Sequence, residues 1–475
     1  MANIKDVIKK LNELGYETLM NDDMISYQQE WLEWYQGFVN GFHEYTAYEG
    51  TDKKQQRKVF SLGMGKVISE LWADYMYNPE TTEIIEDERV QEWWDNKKQD
   101  IKFTSTMNNF MELSFASGTG ATVEYKDHLG NANIDFIDFD MIIPIETLNE
   151  DIVSCAFVSE YTDGVIFLNI HERQDDGTYL ITNSFYKVND KGELQEEIPY
   201  DLLIGEDEQS GKLAQLYLSP TKMFQIFKPA IVNNKVLGSP FGISIFGNAQ
   251  DELKASDIAF DSITKEVQHG KIRVYLKEGA LDISIDGEDR TTQTFAKGEE
   301  FYILKGDDTF ENEGLIKTET PQLRELLIDF MDTHLNLLGR KCGLGNQAFS
   351  NQDGTIYTNT AQVISTNSRF YATRQKHGTI MEENIVSIIK ALYWLEFEKE
   401  LDVPISVQMD DSIIHDKDSE VNRMLQLHQR GLISNVFLYQ ELFNFTEEQA
   451  IEFDKNQKAL MNLPEEVEQE GDIEE

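Results

Sequence analysis

The sequence predicts an α+β chain in which helix predominates. Apolar residues recur at helical spacing through residues 1–120 and again beyond residue 248, while alternating segments separated by turn signals fill much of 121–200. With 475 residues, 40% hydrophobic and 11% aromatic, the chain has ample material for a core. At about 150 residues per domain, that length corresponds to roughly three domains.

The first segment reads as helices. Ile4, Val7, Ile8 and Leu11 share a face, and Asn21-Asp22-Asp23 can cap a following helix. Trp31, Trp34, Tyr35 and Phe38 lie on one face of that helix, as core packing requires. Residues 59–77 read as another helix, with Leu62, Val67, Leu71 and Tyr75 inward and Pro79 as its stop. Further helices are expected over 88–98 and 105–115. Around Gly118-Thr119-Gly120 the period changes to that of strands. Asp127-His128-Leu129-Gly130, Asp175-Asp176-Gly177 and Asn189-Asp190-Lys191-Gly192 are turns in an antiparallel meander, followed by a polar acidic loop at 205–211.

Gly238-Ser239-Pro240-Phe241-Gly242 precedes a helix predicted from about Asn248 to His269, with Leu253, Phe260, Ile263 and Val267 as an apolar stripe. Turn-rich residues 271–318 read as short strands. A second helix opens at Thr320-Pro321 and runs to about Lys341, with Leu327, Met331, Leu335 and Leu338 on one face. Both helices are about 22 residues, roughly 33 Å long at ~1.5 Å per residue. Matched rods flanking a strand-rich insertion suggest a stalk that leaves the body, carries a tip and returns. A glycine-bearing polar loop follows, then a helix from about Thr358 to Glu400 in which Gly378 is a candidate bend. Helices fill much of 411–463, with Asp418-Ser419 and Ser434 as starts and Gly431 as a stop. Residues 464–475 hold seven acids and read as a disordered tail.

Charge limits the function. With 42 basic and 86 acidic residues, the net charge is −44, which disfavours a general basic surface for nucleic acid or anionic lipid. Cys155 and Cys342 are too few for a disulfide framework or a cysteine zinc site, and a reducing cytosol is the simplest place of synthesis. No stretch approaches the ~20 apolar residues that span a bilayer. The first residues form an amphipathic pattern without an apolar signal region, so neither export nor membrane anchoring is expected.

Motifs for chemistry are weak. Gly63-Met64-Gly65-Lys66 lacks Walker A spacing and the Ser/Thr, and Gly118-Thr119-Gly120-Ala121 has no helix after it to present an N-terminal dipole. His43-Glu44 and His171-Glu172 lack the second histidine of a zinc motif. Asp410, Asp411, His415, Asp416 and Asp418 are the densest potential metal cluster, but acids also suit a helix start there. Asp135, Asp138 and Asp140 alternate through a strand, as edge solvation explains. No nucleophile–histidine–acid set or carboxylate pair stands out. No cofactor and no metal are expected.

Local charge says more. From Arg340 to Met381 the basic residues Arg340, Lys341, Arg369, Arg374 and Lys376 face only Asp353, a local +4. This is either a helix face paired with the acidic remainder or a localised contact for phosphates. Glu325, Asp329 and Asp332, spaced four and three apart, form an acidic stripe on the second stalk helix.

From about residue 60 onward, the order of parts resembles the portal proteins of tailed bacteriophages, particularly long-tailed phages of Gram-positive hosts. The resemblance rests on Leu62-Gly63-Met64-Gly65-Lys66 through Leu71-Trp72-Ala73-Asp74, on Gly238-Ser239-Pro240-Phe241-Gly242-Ile243-Ser244, on Asn359-Thr360-Ala361-Gln362-Val363, and on Gly431-Leu432-Ile433-Ser434. Gln362 stands where family members often carry Glu.

The resemblance implies a portal fold. Its wing is 1–248, its stem helices are 249–270 and 319–341, and its strand-rich clip is 271–318. A tunnel loop at 342–358 precedes the long wing helix and following strand at 359–410, a helical crown at 411–463 and the acidic tail at 464–475. It further implies a non-enzymatic homo-dodecameric ring at one capsid vertex of the virion, assembled in the host cytoplasm. Double-stranded DNA would pass through the ring. Its partners would be the terminase large subunit, then the head-completion adaptor, with the major capsid and scaffolding proteins around it. Tunnel-loop candidates are Gly345, Asn346, Gln347, Ser350, Asn351 and Gln352. DNA-facing cations would be Arg340, Lys341, Arg369, Arg374 and Lys376, and the acidic wall Glu325, Asp329 and Asp332. Two other classes fit the composition: an acidic cytosolic metal-dependent hydrolase using the 410–418 cluster, and a monomeric acidic protein that mimics nucleic acid.

Overall fold

The computed structural model describes residues 4–49, 53–126, 130–162, 164–189, 192–199, 216–269, 274–277, 285–286, 290–291, 301–304, 324–345, 348–349, 360–409, 424–443 and 445–461. It divides into two units, residues 1–355 with 365–409 and residues 356–364 with 410–475.

The larger unit opens with α1 (Ile4–Glu13) and α2 (Asp22–Gln36), the latter capped by the Asn21 side chain, which accepts from the amides of Asp23 and Met24. Strands β1 (Glu44–Glu49) and β2 (Lys53–Lys58) then form an antiparallel hairpin. Next come α3 (Met64–Met76), β3 (Thr82–Ile85), α4 (Glu88–Asp100) and α5 (Phe103–Ser117). Strands β4 (Gly120–Lys126), β5 (Ala132–Asp138), β6 (Ile142–Leu148), β7 (Asp151–Thr162), β8 (Val165–Arg173), β9 (Tyr179–Val188), β10 (Leu194–Ile198), β11 (Leu216–Ser219) and β12 (Phe224–Phe227) follow. Helix α6 (Gln250–His269) precedes short strands β13 (Val274–Lys277), β14 (Ile285–Asp286), β15 (Arg290–Thr291) and β16 (Phe301–Leu304). Then come α7 (Arg324–Lys341), α8 (Thr360–Phe397), which belongs to this unit from Ser365 onward, and β17 (Ile405–Gln408).

The meander is the largest sheet, ordered β10-β9-β8-β7-β6, with β11 also pairing β9. Its alternation sorts side chains between two faces. Ala156, Val158, Ile166, Leu168 and Ile170 pack with Val7 and Leu11 of α1. On the other face Phe157 and His171 meet Phe224 of β12, at ring separations of 5.2 Å each. Strand β12 belongs to a second sheet, β12-β4-β5, in which β5 is an edge. Asp138, the last residue of β5, and Asp140, in the short turn Phe139–Met141 beyond it, are exposed, but Asp135 is half-buried and burial raises its pKa, so edge solvation does not hold for it. In the 271–318 segment, β13 pairs with β16 in parallel and β14 with β15 antiparallel.

Several expectations are corrected. Residues 1–120 are not wholly helical, since β1, β2 and β3 interrupt them. Gly37, at φ 75°, ends α2 before Phe38, which is 45% exposed instead of sharing the buried face of Trp31 and Trp34. Helix α3 begins at Met64, not at 59, and its inward face is Ile68, Trp72, Ala73 and Met76, whereas Val67 is exposed. Gly65 sets that face: a Cβ there would lie 2.7 Å from the Trp34 carbonyl oxygen, so only glycine lets α3 approach α2 this closely. On α6 the buried positions are Leu253, Ser256, Asp257, Ala259 and Asp261, with Phe260 and Ile263 half-buried. Helix α8 continues through Gly378, whose missing Cβ admits the Met409 thioether.

The smaller unit includes α9 (Asn435–Phe443) and α10 (Glu447–Met461). Gly431, at φ 69°, ends the turn before them, and the Ser434 hydroxyl accepts from the Phe437 amide to cap α9. Tyr439 and Phe445 pack edge-on against Phe453, and Asn435 donates to Asp454 at 2.9 Å. The 205–211 loop, the 410–418 acid cluster and residues 464–475 lie outside the described residues.

Candidate functional site

The paired helices α6 and α7 lie side by side. Leu253 meets the interior from α6, and Leu335 and Leu338 from α7, all below 7% exposure. At their base Lys341 Nζ lies 2.7 Å from Glu252 Oε1, closing the pair where α6 begins and α7 ends.

The base of α6 is fixed by two glycines far apart in sequence. A Cβ on Gly242 would fall 2.4 Å from the Gly118 carbonyl oxygen, and one on Gly118 would fall 2.6 Å from the Ile243 carbonyl carbon. The two backbones thus run in direct contact. The Gly242 amide donates to Thr119 Oγ1 at 3.0 Å and the Ile245 amide to the Phe115 carbonyl at 2.9 Å. The Gly118-Thr119-Gly120 run is therefore the seat for the loop that starts α6, which gives Gly118 a packing role.

Farther along α6, two buried acids hold the chain on either side of the β1–β2 hairpin. Asp257 accepts from His43 Nε2 at 3.0 Å, the Leu62 amide at 2.7 Å and Ser61 Oγ at 3.2 Å. His43 Nδ1 accepts from the Val39 amide at 2.7 Å, so the ring proton sits on Nε2 and the imidazole donates to the acid. Asp261 accepts from the Phe60 amide at 3.1 Å and pairs with Lys265 at 2.7 Å. The hydroxyl of Ser61 binds the acid and not the histidine, so this set has no activated nucleophile. Sequence reading missed it because acids four apart on a helix ordinarily mark a solvated face; the usable signal was that they share a side with Leu253.

Helix α7 ends in a left-handed turn. Gly343 has φ 81°, the Leu344 amide donates to the Gly339 carbonyl at 2.8 Å, and Leu344 is buried. A Cβ on Gly343 would strike Thr373 Cγ2 of α8 at 2.7 Å. Trp72 Nε1 donates to the Cys342 carbonyl at 2.9 Å, tying α3 to the same turn. His377 of α8 stands edge-on to Trp72 and accepts the Ala230 amide at 2.8 Å; burial lowers its pKa to about 4, so it is neutral.

The predicted site residues do not act as one group. Gly345 occupies the turn at φ 99°, while Asn346, Gln347, Ser350, Asn351 and Gln352 lie outside the described residues. Lys341 is engaged by Glu252. Arg374 Nε donates to the Tyr75 carbonyl at 3.3 Å, covering an orphan carbonyl in the last turn of α3. Arg340, Arg369 and Lys376 are exposed, the last two seven apart on the outer side of α8. Of the acidic stripe, Glu325 and Asp329 are exposed, but Asp332 is half-buried, and its Oδ1 is sealed from water with no hydrogen-bond partner among the described residues.

Other candidate chemistry resolves into structure. Lys66 pairs with Glu112 and lies 3.4 Å from Glu70, so the Gly63-Met64-Gly65-Lys66 lysine is committed. Glu83 is a satisfied buried carboxylate, accepting from Tyr77 at 2.7 Å, Trp94 at 3.3 Å and Lys98 at 2.6 Å. Between the two sheets, burial raises the Glu124 pKa to about 8, lowers that of His171 to about 3, and pushes Lys222 down. Lys222 there donates to the Ile152 carbonyl at 2.9 Å and sits 4.3 Å from the Phe224 ring centre. Among the described residues no group of three His, Cys, Asp or Glu side chains is arranged to hold a metal, and no helix is long and apolar enough to cross a membrane.

Residues 20–462 match the family model described as phage portal protein, SPP1 Gp6-like. No curated protein matches the chain. Among solved structures, a chain from the neck of an empty GTA particle computed with C6 symmetry is 11% identical, with a TM-score of 0.43 over 80% of this chain and 90% of that one. A chain from the neck of a native GTA particle computed with C12 symmetry is also 11% identical, with a TM-score of 0.39 over 79% and 88%.

Proposed function

Because this chain belongs to the SPP1 Gp6-like phage portal family, we propose that it is a virion component that forms a dodecameric ring at one capsid vertex. The ring is the channel for DNA packaging and ejection. The observation that carries this reading is the family match over residues 20–462. The side-by-side packing of α6 and α7 supports reading them as the stem of such a ring. In this reading 1–248 is the wing, 249–270 and 319–341 the stem, 271–318 the clip, 342–358 the tunnel loop, 359–410 the long wing helix and strand, and 411–463 the crown. The ring docks the terminase large subunit, then the head-completion adaptor, within the shell of capsid and scaffolding proteins. We assign it no catalysis of its own.

The charge pattern suits a conduit. Each phosphate neutralised by the wall adds affinity that translocation must break, so a bore for duplex DNA gains from weak adhesion. Exposed Glu325 and Asp329, with Asp332 at the flank, are the proposed low-adhesion wall. Arg340, Arg369 and Lys376 are the cations available to hold packed DNA near the tunnel loop, whereas Lys341 and Arg374 chiefly hold the body together. Negative-stain microscopy of the purified chain across a range of salt tests the ring; absence of closed ring particles at every salt would overturn it. Changing Glu325, Asp329 and Asp332 to lysine should slow DNA passage, and unchanged passage would remove these acids from the bore. Deleting 346–353 should leave rings intact and impair packaging or retention of DNA.

A further inference from the structure

The β1–β2 hairpin pairs with no other strand, so both of its outer edges lack a sheet neighbour among the described residues. A two-stranded hairpin has little stability of its own in water. Its base is nevertheless firmly fixed: His43 binds Asp257 at 3.0 Å, the Val59 amide donates to the His43 carbonyl at 2.9 Å, and the Phe60 amide donates to Asp261 at 3.1 Å. Lys265 of α6 adds a bond to the Lys58 carbonyl at 3.3 Å. Strand β2 reads Lys53-Lys54-Gln55-Gln56-Arg57-Lys58, four cations in six residues of a chain whose net charge is −44. Tyr45, Thr46, Gln56, Arg57 and Lys58 are exposed, and Lys58 meets Glu44 across the hairpin at 2.8 Å.

We propose that this hairpin is an assembly arm whose cationic β2 strand docks on the acidic surface of a second copy of this chain. The occupant follows from charge complementarity, because identical copies this acidic repel one another and β2 concentrates the opposite sign on an edge that has no sheet neighbour among the described residues. The arm and its acceptor are different surfaces, which makes a head-to-tail contact of the kind that closes rings. The proposal rests on the ring reading above and names a contact within it.

The test compares the wild type with a variant carrying K54E and R57E in the full chain, which spares Lys53 and Lys58, the residues in register with Glu49 and Glu44. Mass photometry and negative-stain microscopy read the ring population, and far-UV circular dichroism and the thermal midpoint read the fold. A second variant, K54Q with R57Q, removes charge without reversing it. We expect the concentration for half-assembly to rise at least ~10-fold in the reversed variant and less in the neutral one. Secondary structure should be unchanged, since the base contacts use His43, Asp257 and Asp261. Carbodiimide cross-linking of mixed isotope-labelled copies should join a β2 lysine to an acid of another copy. Rings equally populated in all three proteins, with no β2 link between copies, would overturn the arm and leave the ring reading intact. Loss of DNA binding with unaltered rings would instead give the strand to nucleic acid and also overturn it. Absence of rings in the wild type would sink both readings.

Discussion

Asp257 offers a direct perturbation of the joint between α6 and the rest of the larger unit. Asp257→Asn preserves shape, so no cavity confuses the outcome. The amide oxygen can still accept from the Leu62 amide, which lies 2.7 Å from Oδ1. The NH₂ group then faces His43 Nε2–H, now 3.0 Å from Oδ2, and two donors oppose each other. Tautomer exchange cannot relieve them without cost, because His43 Nδ1 is already occupied by the Val39 amide. One charge-assisted bond is lost and one buried donor is left without an acceptor, costing about 1–3 kcal/mol. The chain has two units, so a global unfolding midpoint reports this joint less directly than a local probe does. Amide hydrogen exchange at Val39, Phe60 and Leu62 reports the joint itself. A loss of about 2 kcal/mol should accelerate local exchange at Leu62 and Val39 roughly 30-fold. Phe60, bound by Asp261, should change less. Exchange at Leu62 within about threefold of the wild type would refute the assignment, since this magnitude would then correspond to well under 1 kcal/mol.

Gly242→Ala should be among the most damaging small changes, because the new methyl would lie 2.4 Å from the Gly118 carbonyl oxygen and 2.8 Å from Lys228 Cβ. Overpacking of about 1–3 kcal/mol or more is expected, read as a lower yield of folded chain and a lower thermal midpoint. Glu124 makes stability fall with rising pH. Its folded value of about 8 exceeds the ordinary 4.5, so the native state holds an extra proton between those limits. Glu124→Gln should flatten the decline of denaturation midpoint over that window, with Lys222, His171, Cys155 and Tyr217 left in place; an unchanged slope would point to another group. Lys341→Ala removes an ion pair whose lysine is 44% exposed, so a change no larger than about 1 kcal/mol is expected in the same measurement.

The periodic parts of the fold were legible because their signal is local. Leu335 and Leu338 recur on the inner side of α7, and turn chemistry separates β8 from β9 around Gly177. Strand β2 was not legible: Lys53-Lys54-Gln55-Gln56-Arg57-Lys58 has no apolar alternation, and its state is set by pairing with β1. The inward face of α3 was misread for a related reason. Gly65 and Ser69 are counted as polar in a sequence pattern, yet Gly65 is buried by backbone contact and the Ser69 hydroxyl bonds back to the Gly65 carbonyl. At the candidate site, the +4 segment was visible, but its division was not. Arg374 reaches a carbonyl of α3 and Lys341 an acid of α6, and both partners are distant in sequence. Likewise nothing local couples Gly118 to Gly242; their opposition exists only once the chain is folded.

The excess of acid is divided between two environments that respond differently to salt. Glu83, Asp257 and Asp261 are buried and each accepts from at least two donors, so their charge is compensated inside the fold. Glu325 and Asp329 face solvent and carry charge that only counterions or another molecule can offset. Screening acts within ~8–10 Å at ordinary ionic strength and weakens exposed interactions far more than buried ones. Moderate salt should therefore ease repulsion between copies while leaving amide exchange at Leu62 unchanged, and higher salt should loosen an arm that docks through β2. Ring population should consequently rise and then fall with salt. A monotonic increase in the wild type, identical in the charge-reversed β2 variant, would mean that screening alone governs association and that the hairpin takes no part.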